Sequence, residues 1–85
     1  MIARLEGTLL ERGPTRAVID VAGVGYEVLI SLSTFVALPD EGKIVALHVH
    51  THVREDALLL FGFATPDERR AFERLLAISG VGPNS

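Results

Sequence analysis

The sequence contains no cysteine and no tryptophan, and only 6% of its 85 residues are aromatic. Without cysteine there is no disulfide framework, no thiolate zinc site and no thiol nucleophile, and the chain is suited to a reducing compartment. Basic residues are also short: eight Lys and Arg against eleven Asp and Glu leave a formal charge of −3. The chain as a whole is therefore no polycation, and any contact with nucleic acid has to use a local patch or a further segment. No uncharged apolar run approaches the roughly 18 residues of a membrane span. The start, Met1-Ile-Ala-Arg-Leu-Glu6, carries charge at once and has no apolar stretch behind it. That excludes a signal-peptide pattern and places the expected home of the protein in the cytoplasm.

What is present is apolar. Hydrophobic residues make up 48% of the chain and the mean hydropathy is +0.36, high for one small domain. A chain of this length buries a core with little margin, so part of its apolar surface is expected to need a second subunit. Alternation from Ala3 to Glu11, with odd positions inward, predicts a first strand. Turn chemistry at Arg12-Gly13-Pro14-Thr15 and the β-branched run Ala17–Val21 complete a hairpin. A second turn is expected at Gly23-Val24-Gly25, followed by a strand that carries Tyr26, Val28 and Ile30 on one face. Ser33 is the expected cap of a short helical turn ended by Pro39-Asp40-Glu41-Gly42. Ile44 to Val53 reads as the longest strand, with Val45, Leu47, Val49, Thr51 and Val53 on one face and Ala46, His48, His50 and His52 on the other. Leu58 to Phe63 is the fifth strand.

The code then changes. Thr65, Pro66 and Glu68 stand at N-cap, N1 and N3 of a helix, a capping box with proline at its favoured place. Phe72, Leu75, Leu76 and Ser79 recur at helical spacing, leaving Arg69, Arg70, Glu73 and Arg74 for the outer side. Gly80 occupies the position of a C′ glycine. The expected fold is mainly β: a five-stranded Greek-key barrel of the OB type over residues 1–64, followed by a helix. Residues 65–85 open a second unit, because Gly80-Val81-Gly82-Pro83 reads as the hairpin of a helix-hairpin-helix motif whose second helix would begin at Pro83 and run past Ser85.

Three clusters could carry chemistry. The hairpin Gly80–Pro83 could hold a DNA phosphate on backbone amides, or be a plain helix stop and turn. Arg54-Glu55-Asp56, between two strands, is either a solvated turn or a charged site; no nucleophile, metal cluster or phosphate loop accompanies the carboxylates, so an electrostatic role is expected over catalysis. His48, His50 and His52 lie about 6.8 Å apart at each step along one strand face. Two of them could bind zinc with Glu55 or a partner as third ligand, although polar positions on a half-exposed strand explain the pattern without metal. Tyr26, Phe35, Phe61, Phe63 and Phe72 fall mostly on apolar faces, which argues against stacking platforms for single strands.

The start Met1–Gly7, the segment Gly23–Val28, the stretch Thr51–Ala57 running into Leu60-Phe61-Gly62-Phe63, and the end Ser79–Pro83 together resemble, in register, the RuvA family of Holliday-junction branch-migration subunits. The resemblance implies an OB-fold domain, a following domain with two helix-hairpin-helix motifs, and a mobile third domain that contacts the RuvB motor ATPase. It implies a homotetramer that holds four-way junction DNA open in recombination and repair. No catalysis and no cofactor or metal of its own go with it, ATP hydrolysis belonging to RuvB and junction cleavage to RuvC. Glu55 and Asp56 fall on the family's acidic pin at the junction centre, with Arg54 flanking it. Gly80, Val81, Gly82 and Pro83 fall on the first phosphate-binding hairpin, where Asn84 stands in place of the lysine that commonly follows the proline. The rival expectation is an OB-fold oligomerisation or single-strand-binding module.

Overall fold

In the computed structural model, which describes residues 1–79, the first strand β1 (Arg4–Arg12) sends Leu5 and Leu9 into the core and leaves Arg4 and Glu6 in solvent. The alternation then slips. On its partner β2 (Arg16–Val21), Ile19 faces Leu9 but Val18 faces Glu11, so Leu10 is the extra residue of a β-bulge and is exposed. Glu11, expected on the inner face, therefore lies outside and pairs with Arg16. The second turn is also shorter than the glycine pattern predicts. β3 (Val24–Ile30) begins at Val24, opposite Val21, and the loop is Ala22 and Gly23 alone. Their φ angles of 53° and 89° make the two-residue turn whose twist matches the strands it joins.

Helix α1 (Leu32–Ala37) is capped by Ser31, not Ser33: the Ser31 hydroxyl accepts the Thr34 N–H at 3.2 Å. Strands β4 (Ile44–Val53) and β5 (Leu58–Phe63) complete a closed barrel in the order β1-β2-β3-β5-β4. Every pairing is antiparallel except that between β3 and β5, where Leu29 faces Phe61 and Ile30 faces Gly62. With its helix between the third and fourth strands, this is the OB-type barrel expected from the strand pattern. Leu9, Ile19, Val28, Leu47 and Val49 fill its centre.

Helix α2 (Pro66–Ser79) starts as its capping residues predict. Thr65 Oγ1 accepts the Glu68 N–H at 3.2 Å and donates to the Glu68 carboxylate at 3.1 Å. Ser33, displaced from its expected capping role, donates to the other Glu68 oxygen. The face that meets the barrel differs from the apolar stripe. Phe72 is its centre, with ring centroids 5.2 Å from both Phe61 and Phe63 and 5.5 Å from His50. Arg69 donates to the Ala3 carbonyl at 3.1 Å, and Glu73 reaches His50 Nδ1 at 2.8 Å, while Leu75 and Ile78 point away, 66% and 83% exposed. The receiving wall includes a main-chain carbonyl and an imidazole, and it selects a polar residue on each side of the phenyl ring.

A 14-residue helix is marginal in water by itself, so its order depends on Phe72. Phe72→Ala is expected to remove about 3 kcal/mol of docking energy. Circular dichroism at 222 nm should fall while barrel amides keep their exchange protection; unchanged helicity would show that Arg69 and Glu73 hold α2 without the ring. Gly80 as helix stop, and the rest of the Gly80–Pro83 hairpin, lie outside the described residues.

Candidate nucleic-acid interface

The longest strand sets the position of the charged loop. β4 has ten residues, against six in β5 and seven in β3, so the β4–β5 hairpin reaches past the barrel rim. Its last rung pairs Val53 with Leu58, and the Arg54 N–H donates to the Ala57 carbonyl at 2.8 Å to close the loop. Glu55 and Asp56 stand at the tip, fully in solvent, as a pair of adjacent carboxylates in a turn must. Arg54 is exposed beside them.

What distinguishes this loop is its lack of compensation. Glu6 is paired with Arg4 at 3.0 Å, Glu73 with His50, and Asp67 with Arg70. Arg16 lies between Glu27 at 2.6 Å and Glu11 at 2.9 Å. Their hydrogen bonds, Glu27's first, raise the pKa of its guanidinium, whose charge is thereby spent locally. Among the described residues no cation pairs with Glu55 or Asp56. Two carboxylates against one guanidinium leave the tip a source of negative potential facing open water.

The three histidines do lie on the outer face of β4, but they are not brought together as a ligand set. His50 is turned under α2 by Phe72 and Glu73, while His48 sits across from Arg4 and Phe63, and His52 across from Leu59. Among the described residues no group of three or more histidine and carboxylate side chains is arranged to hold a metal. The aromatic side chains are all covered at least in part. Phe61, Phe63 and Phe72 pack on one another, Tyr26 and Phe35 pack against the core, and the Arg12 guanidinium covers the Phe35 ring at 4.3 Å. Such rings offer no open stacking platform. No described helix is long and apolar enough to cross a membrane.

Sequence reasoning finds the charged triplet but misses its apolar base. Val53 has the inward parity of Val49 and Thr51, yet exposure rises from 7% at Thr51 to 69% at Val53, and Leu58 opposite is 58% exposed. The available signal is the length of β4 relative to its neighbours, which outruns the barrel that would cover its end.

Known proteins share this arrangement. The family model of the RuvA N terminal domain matches residues 1–62. Relatives named Holliday junction branch migration complex subunit RuvA include those of Acidobacterium capsulatum, 59% identical, and Syntrophotalea carbinolica, 61% identical, each over 98% of this chain and 42% of the relative. That of Acidovorax ebreus is 55% identical over 100% of the chain and 45% of its own length. The chain thus spans less than half the length of the curated relatives it matches. With a domain match that takes in the whole barrel up to Gly62 and identities above one half along nearly every residue, the chain belongs to the RuvA family.

Proposed function

We propose that this chain is the junction-facing part of a non-enzymatic scaffold for four-way DNA, which supports branch migration driven by a motor ATPase. The observation that carries this reading is the projecting hairpin whose two carboxylates lack compensation, in a chain whose relatives are named as branch migration complex subunits. A barrel with net charge −3 gains nothing by presenting bare carboxylates to ordinary duplex. At a crossover, where phosphates of four strands converge, the same carboxylates keep strands apart and favour the open form. In this reading Glu55 and Asp56 form the pin, Arg54 flanks it, and four copies place their tips around one centre.

The phosphate grip belongs elsewhere, to the backbone hairpin at Gly80, Val81, Gly82 and Pro83. Residues 1–64 form the barrel domain and 65–85 open a second domain. Partners are a RuvB-like motor and a RuvC-like resolvase, in the bacterial cytoplasm. A generic single-strand-binding module is the weaker reading, because the rings it would use are covered.

The test is a gel-shift competition with the native-length protein, setting a four-way junction against linear duplex and single strand of matched sequence at one fixed salt concentration. Preference for the junction by about a hundredfold or more is expected, within the range of specific over nonspecific binding. Preference for single strand would leave the OB fold standing and remove the scaffold role.

A further inference from the structure

Val53 and Leu58 face each other on the last rung of the β4–β5 ladder, 69% and 58% exposed. They share the inward parity of Thr51 and Leu60, so both side chains leave the hairpin on one side and form an apolar ledge beneath the charged tip. At about 3.4 Å per residue the ledge lies roughly 7 Å below Glu55 and Asp56, within reach of one ligand that touches both. An exposed apolar pair next to bare carboxylates selects its occupant by charge. A second copy of the same tip would bring more carboxylates together and is opposed by like-charge repulsion. Phosphate is repelled as well. The carboxylates can only accept hydrogen bonds, and the donors that DNA offers are base N–H groups. An aliphatic ledge takes the flat face of a base, as the leucine and isoleucine wedges of DNA-bending proteins do. Ledge and tip therefore both fit a nucleobase, and neither fits the backbone.

We infer that the β4–β5 hairpin tip is a holding site for an unpaired nucleobase: Val53 and Leu58 receive its face, and Glu55 and Asp56 accept from its exocyclic amino group, which selects adenine and cytosine. Within duplex the faces are stacked and those amino groups are paired, so the site fills only where pairing is interrupted. This rests on the reading that the tip stands at a crossover, and it adds to it a surface that captures the base released there. Capture lowers the cost of each exchange of partners, because the released base leaves its stack for an apolar contact and not for water.

The experiment uses native-length protein with labelled valine and leucine methyl groups, titrated with a four-way junction and with linear duplex of the same sequence. Val53 and Leu58 methyl signals should move upfield with the junction, as ring currents from a stacked base require, and stay in place with duplex. The pair Val53→Ser and Leu58→Ser, both at exposed positions, should abolish the fluorescence rise of 2-aminopurine placed at the crossover. It should weaken junction binding about fourfold, the ratio for about one buried methylene. Junction binding in the gel shift without movement of these methyls overturns the inference. So does an equal shift on raising protein concentration without DNA, which would assign the ledge to a second copy. Failure to bind the junction at all overturns the scaffold reading itself.

Discussion

Gly7→Ala is expected to lower the stability of the barrel by about 3 kcal/mol, with a fall in Tm of roughly 12–24 °C for a domain of this size. A Cβ built on Gly7 lies 2.1 Å from the Asp20 carbonyl oxygen, 2.9 Å from its carbon and 3.1 Å from Val21 Cγ2. The obstacle is main chain, and it cannot move alone. Asp20 is paired with Thr8 on one side and Gly25 on the other, while Thr8 also pairs with Ile44. Gly7 and Thr8 mark the place where β1 passes from β4, its partner over Arg4–Thr8, to β2, its partner from Thr8 onward. The strand bends there against the edge of β2, and only a residue without Cβ lets the two backbones approach. Relief would require opening one of the two ladders that close the barrel.

Two other glycines calibrate the expectation. A Cβ on Gly62 would meet Leu47 Cδ1 and Val28 Cγ1 at 3.1 Å, side-chain ends that can shift, so Gly62→Ala should cost about 1 kcal/mol. On Gly25 it would meet only Val18 Cγ1 at 3.6 Å, an ordinary contact, and Gly25→Ala should change little. Urea denaturation of the three variants separates the cases; a midpoint for Gly7→Ala equal to that of Gly25→Ala would remove the close approach as an explanation.

The strands were legible because period-two alternation survives in each of them, and the start of α2 because Thr65, Pro66 and Glu68 are local signals that need no tertiary partner. What lay beyond reach depends on contacts made at long range. Nothing in Leu9-Leu10-Glu11 marks Leu10 as the bulge; the slip exists only against β2. Ala22 takes a positive φ that alanine does not favour, because the register of β2 on β3 leaves two residues for the turn. The packed face of α2 followed the polar features of the barrel wall, and so Glu73 went inward and Leu75 outward against their hydropathy. Gly7 looks like any strand glycine until Asp20 is seen beside it. At the candidate site the same division holds: Arg54-Glu55-Asp56 is plain in the sequence, whereas the exposure of Val53 and Leu58 follows from how far β4 outreaches the strands around it.

Replacing Glu55 with Gln and Asp56 with Asn should tighten binding to linear duplex by about tenfold and reduce junction selectivity by a similar factor. Both side chains are exposed and unpaired among the described residues, so the fold has nothing to lose and stability should be unchanged. Each carboxylate near a phosphate is worth about 1 kcal/mol in high dielectric, and removing two such repulsions accounts for roughly that ratio. A junction held open already keeps its phosphates arranged around the tips, whereas a duplex must press against them. The duplex therefore gains more from neutralisation than the junction does. Salt supplies the signature that a merely structural defect would not produce. Exposed repulsion acts over about 10 Å at 0.1 M ionic strength and about 3 Å at 1 M, so the difference between parent and variant should be largest at low salt and fade as salt rises. Arg54→Gln should act in the opposite direction, deepening the negative potential and weakening duplex binding further. Selectivity unchanged by the double neutralisation, or a change indifferent to salt, would mean that the tip positions the hairpin by shape and that its charge does not separate strands.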